Sequence, residues 1–165
     1  MVTLAGCNTE KAQSDDQLVL MLQNSFMMDT SDYVSQFRDI IHEIGSEPNN
    51  EEYIDGMIDN FVRRSNYPTT TIHSILRQTN ISSDTASEII APRLSEPLHQ
   101  LFTSSMPSYL VALKEKQSYN EIEQKKLSKI ENLFNEFSGN SEKYTEKDSV
   151  NKILKATNEL NELLN

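Results

Sequence analysis

Glu51, Asp55 and Asp59 recur every four residues, a spacing that stacks three carboxylates on one face of a helix. Oxygen ligands in such a row suit a hard divalent cation, and Glu47 and Glu52 stand close enough in sequence to add to them. Like charges at this spacing also destabilise a helix mildly unless something neutralises them. No calcium-loop pattern surrounds the row. A solvated face is therefore the expectation, with no metal bound, and these three residues are the candidates should a cation bind. The three histidines, His42, His73 and His99, are far apart in sequence. His42-Glu43 lacks the second histidine four residues on that a zinc-protease helix needs. Glycine occurs only at 6, 45, 56 and 139, which leaves no glycine-rich phosphate cradle and no Gly-x-Ser-x-Gly elbow. Met21, Met27 and Met28 offer soft, adaptable side chains, but methionine at helical spacing is usually core filler. The reading is of a non-enzymatic chain without a cofactor.

Cys7 is the sole cysteine, so it forms no intrachain disulfide, and any role it has is carried alone. It follows Leu4-Ala5-Gly6, and the four residues together resemble the lipobox of bacterial lipoproteins. The resemblance implies that residues 1–6 are the remnant of a signal peptide cut just before Cys7. It also implies that the Cys7 thiol carries a thioether-linked diacylglyceryl group, with further acylation such as palmitate, and that the protein sits on the outer face of the cell membrane. A lipoprotein signal carries basic residues and an apolar run before this motif. Met1-Val2-Thr3 supplies neither, so the expectation is that such a run lies upstream or has been trimmed. The polar stretch from Asn8 to Ser14 follows, suited to a flexible tether over residues 7–14.

Charge is polarised along the chain. Residues 1–60 hold twelve acids against Lys11 and Arg38, which accounts for the whole net charge of −10. A chain of this kind is repelled by phosphate backbones and anionic headgroups. Nucleic acid is thereby disfavoured as a partner. The acidic first part reads as a solvated face balanced in part by Arg63, Arg64 and Arg77, or as a docking face for a basic protein.

These groups are carried on segments that read as helices. Hydrophobic spacing follows the helical period past the tether, with no convincing strand. Residues 15–44 carry Leu18, Met21, Leu22 and Met28, then Tyr33, Phe37, Ile40, Ile41 and Ile44. They read as one helix or as two broken at residues 29–32, with Gly45 a left-handed stop. Asn50 caps a helix with Ile54, Met57, Ile58, Phe61 and Val62 on one stripe. A short helix is expected over residues 69–79, and Thr85 with Glu88 is a capping box for Ile89 and Ile90. Pro92, Pro97 and Pro107 divide the next region into short helices or one kinked one. Residues 119–138 read as a long helix capped by Ser118 and Glu121, with Ile122, Ile130, Leu133, Phe134 and Phe137 inward. Thr145 or Asp148 opens the last helix, with Val150, Ile153, Leu154, Thr157, Leu160 and Leu164 near heptad spacing. The prediction is an all-α domain over residues 15–165, an irregular bundle of about five to eight helices. Its expected function is a membrane-anchored interaction module of the cell envelope. The alternatives are a helical binder of a small ligand or divalent cation and an untethered cytosolic adaptor.

Overall fold

The computed structural model describes residues 7–64, 89–116, 119, 124–139 and 146–165, with side chains in the first helix from Gln17 onward. The described residues form five helical rods and no strand. The first, α1 (Cys7–Ser46), is 40 residues long, or about 60 Å at the helical rise. It is unbroken because no Gly or Pro interrupts the sequence between Asn8 and Ile44. The residues expected as a tether accordingly share its helical backbone.

Burial along α1 follows steps of three and four through Val19, Leu22, Phe26, Thr30, Tyr33, Val34, Phe37, Ile40, Ile41 and Ile44. Of the two readings the sequence allowed at residues 29–32, the continuous helix is the one observed, and Thr30 takes its turn on the inner stripe. Met21 and Met28, expected inward, are instead turned out. The phase of the stripe is fixed by Leu22, Phe26 and Tyr33, which leaves Met21 and Met28 on the opposite side, while Met27 packs partly against the core. Gly45 is no left-handed stop either. It lies inside the last turn of α1, where a Cβ would sit 3.5 Å from Leu127 Cδ1.

Helix α2 (Glu51–Arg63) buries Ile54, Ile58 and Phe61, with Met57 and Val62 partly covered. Asn50 occupies the cap position but makes no side-chain capping bond. Glu51 and Glu52 in the first turn and Arg63 in the last complement the helix dipole.

The proline-rich region is a single rod. Helix α3 (Pro92–Gln100) passes into a π-helical turn (Leu101–Ser105) and then α4 (Met106–Lys114). Pro107 has no N–H, and its ring crowds the carbonyl four residues back. Immediately before it the backbone widens, with the Met106 N–H bonded to the Leu101 carbonyl five residues earlier. One inserted π turn accommodates the proline without ending the helix.

Helix α5 (Gln124–Ser138) buries Leu127, Ile130, Leu133, Phe134 and Phe137, and α6 (Lys147–Leu164) buries Val150, Ile153, Ala156, Thr157, Leu160, Asn161 and Leu164. Glu146 holds the cap position of α6, and Asp148 lies within its first turn. The expected helix over 69–79, both capping boxes, Arg77, Thr145 and residues 1–6 lie outside the described residues.

Aromatic rings tie the rods together. Tyr33 of α1 stacks on Phe61 of α2 with centroids 4.4 Å apart, meets Phe102 of the π turn edge-on at 5.8 Å, and donates its hydroxyl to the Phe102 carbonyl at 3.0 Å. Phe37 reaches Phe134 of α5 at 5.2 Å. Helix α6 closes the bundle against α5 and α3. At the π turn it brings a buried polar group to meet another: Ser105 donates to Asn161 Oδ1 at 2.7 Å. Asn161 Nδ2 in turn donates to the Pro97 carbonyl at 3.1 Å. Bonds of this kind let two polar side chains lie in the core without an unsatisfied group.

Candidate docking surfaces and the carboxylate row

The row Glu51, Asp55, Asp59 lies on the first three turns of α2, as its spacing requires. Tertiary structure then treats its members differently. Tyr119 donates its hydroxyl to Asp55 Oδ1 at 2.5 Å. Lys114 at the end of α4 places its Nζ 2.5 Å from Asp59 Oδ1. Glu51 at the head of the row is exposed. The like-charge repulsion that the sequence implies is thus relieved by a phenol and an ammonium group from other elements. Among the described residues no group of three or more His, Cys, Asp and Glu side chains is arranged to hold a metal ion.

Tyr119 is almost fully buried, and its phenol is pushed well above the ordinary tyrosine value. Burial is the main cause, followed by the hydrogen bond to Asp55 and then by the negative charges of Asp55, Glu51 and Asp59. All of these favour the protonated phenol. Burial likewise raises Tyr33 and lifts Tyr109 to about 12.

Beside the row, an open groove of about 710 Å³ runs between α2 and α4. Its apolar lining includes Val62 and Val111, and its rim carries Asp59, Arg63, Lys114 and Glu115. Arg63 curls back so that its Nε donates to the Asp59 carbonyl at 3.2 Å. The groove suits apolar side chains flanked by mixed charge.

The histidines are not brought together. His42 is exposed on α1, with Nδ1 3.8 Å from Glu131 Oε1 on α5. His99 lies on α3, where its carbonyl accepts the Thr103 hydroxyl at 2.7 Å, and His73 is outside the described residues. Of the methionines singled out, Met21 and Met28 stand exposed on the outer face of α1 beside Leu20. Leu4, Ala5 and Gly6 lie outside the described residues, and Cys7 is the first described residue, within α1.

Sequence reasoning missed Tyr119 and Lys114 as partners of the row. They stand 64 and 55 residues from the carboxylates they serve, and no local pattern announces a pairing at that separation. The exposed Leu20 did carry a signal, since it lies opposite Leu22 and Phe26 on a helical wheel.

No family model, curated protein or solved structure matches this chain. No helix among the described residues is long and apolar enough to cross a membrane.

Proposed function

We propose that this chain is a lipid-anchored, non-enzymatic interaction module on the outer face of a bacterial cell membrane, held there through Cys7. The observation that carries the reading is the lipobox-like Leu4-Ala5-Gly6-Cys7, with the sole cysteine at the residue a lipoprotein acylates. Cys7 belongs to the helix that supplies the innermost stripe of the domain. An acyl group there joins the membrane to the core through one element. At least two acyl chains are attached in this class, and each buried methylene contributes about 0.8 kcal/mol. That anchor holds firmly without any further contact between protein and lipid.

The working surface in this reading is the acidic first part of the chain, which faces a basic protein partner. Two members of the carboxylate row are already engaged by Tyr119 and Lys114, which supports protein docking over cation binding as its use. The test is metabolic labelling with a fatty-acid analogue in the native host, comparing the complete reading frame with Cys7→Ser. Label in the wild type alone supports the anchor. Equal label in both, or label in neither, removes it and favours an untethered adaptor.

A further inference from the structure

The outer face of α1 carries an apolar strip that none of the described elements covers. Leu20 is 57% exposed, Met21 59% and Met28 73%. On a helical wheel all three lie on the side away from Leu22, Phe26 and Tyr33, with Asn24 between them. From Gln17 through Met28 the chain has no charged residue at all. Beyond Met28 the same face turns acidic: Asp32 and Asp39 are exposed, and no base occurs between Lys11 and Arg38. Asp32 accepts a hydrogen bond from the neutral Gln36 amide at 2.7 Å.

This combination of an apolar strip and an acidic continuation selects among occupants. A second copy of the chain is a poor match. In a parallel pair of α1 helices Asp32 meets Asp32. An antiparallel pair brings Asp32 and Asp39 of both copies to the seam with Arg38 as the one Lys or Arg of α1 whose side chain is described, so acids outnumber bases there. An anionic lipid surface is repelled by the same residues. A helix with its own apolar stripe and with lysine or arginine beyond it meets both features at once.

We propose that the outer face of α1 is the docking surface of this module, and that it takes a basic amphipathic helix laid along residues 17–39. Leu20, Met21 and Met28 hold the partner's apolar stripe, and Asp32 and Asp39 pair with its basic residues. The span from Leu20 to Met28 is about 12 Å, the reach of two apolar residues one heptad apart on the facing helix. Methionine suits the role, because its unbranched chain adapts to the shape it meets. The proposal rests on the acidic-face reading for the partner's charge and makes no use of the lipid, so loss of Cys7 labelling and loss of docking are separate outcomes.

The test uses the full chain, its thiol kept reduced, and a fluorescent Leu/Lys peptide of about 18 residues, long enough to hold helix when bound. One version places all leucines on one face. Its scrambled isomer spreads them around the helix. Fluorescence anisotropy at physiological salt reads the affinity. The amphipathic version is expected to bind at least about tenfold more tightly than the scrambled one. Met28→Ser and the pair Leu20→Ser, Met21→Ser are each expected to weaken it by about fivefold or more. The pair Asp32→Asn, Asp39→Asn is expected to weaken binding and to flatten its salt dependence. All these positions are exposed, and circular dichroism melts verify that the variants fold. No binding, equal binding of the scrambled peptide, or indifference to Met28→Ser overturns the proposal. It is also overturned by Met28-dependent dimerisation on size-exclusion chromatography, and by Met28-dependent uptake onto phosphatidylcholine/phosphatidylglycerol vesicles in place of peptide binding.

Discussion

Tyr119→Phe removes one hydroxyl and tests how the carboxylate row is neutralised. The lost bond is short, 2.5 Å, and its acceptor is the Asp55 carboxylate. Hydrogen bonds to charged groups contribute about 1.5–3 kcal/mol. Asp55 is only half-buried, so water partly replaces the phenol and the lower end applies, about 1.5 kcal/mol at neutral pH. For a chain of this size that is a fall in Tm of about 3–6 °C. The pH dependence is the sharper readout. The folded phenol is raised above its unfolded value of 10.0, so the unfolded chain releases this proton first. Its stabilising contribution is full below about pH 10 and is lost as pH rises toward the folded value. Each such phenol costs about 1.36 kcal/mol per pH unit in that window. Tyr33 and Tyr109 share the upward shift, so the alkaline slope should persist in the variant but be shallower than in the wild type. The gap of about 1.5 kcal/mol between wild type and variant should therefore close near about pH 11. Urea denaturation followed at 222 nm from neutral to alkaline pH measures this directly. A gap that is absent at neutral pH, or that stays constant as the pH rises, refutes the reasoning.

Substitutions at Gly45, Gly56 and Asn161 probe the fold. Gly45→Ala and Gly56→Ala should each stabilise the protein by about 0.5–1 kcal/mol. A Cβ at Gly45 meets only ordinary contacts at 3.5 and 3.7 Å, and one at Gly56 meets nothing within 4 Å; a lower urea midpoint for Gly45→Ala contradicts the helical placement of that residue. Asn161→Ala takes away the acceptor of the buried Ser105 hydroxyl, which keeps only the bond it accepts from Asn165 at 3.3 Å, and one of two donors to the Pro97 carbonyl, which keeps the Leu101 N–H; it should cost about 1–3 kcal/mol in the same assay. Asn161→Asp keeps the acceptor for Ser105 but turns a carboxylate toward the Pro97 carbonyl, so its deficit should shrink in acid as that carboxylate protonates.

The helical class was legible in the spacing of apolar residues, and so were many of the inward positions, from Tyr33 to Ile44 on α1 and from Ile130 to Phe137 on α5. The phase of the stripe at the start of α1 was not. Leu20, Met21, Leu22, Met27 and Met28 are all apolar, and periodicity alone allows two faces where the structure buries one. The three prolines of residues 92–107 were visible as punctuation, yet whether they would break the rod or bend it depended on a π turn seated against α6.

For the candidate site the division is similar. Spacing and composition suffice to show that Glu51, Asp55 and Asp59 share a helix face, that Cys7 stands alone behind a lipobox-like tripeptide, and that the first sixty residues carry the whole net charge. These are properties of local spacing and composition, and helical geometry is enough to read them. It took the packing of distant elements to engage two of the three carboxylates with Tyr119 and Lys114 and to leave Leu20, Met21 and Met28 facing out. Those outcomes depend on which distant elements pack against a given face, and a period of 3.6 residues holds no information about what arrives from 55 or 64 residues away.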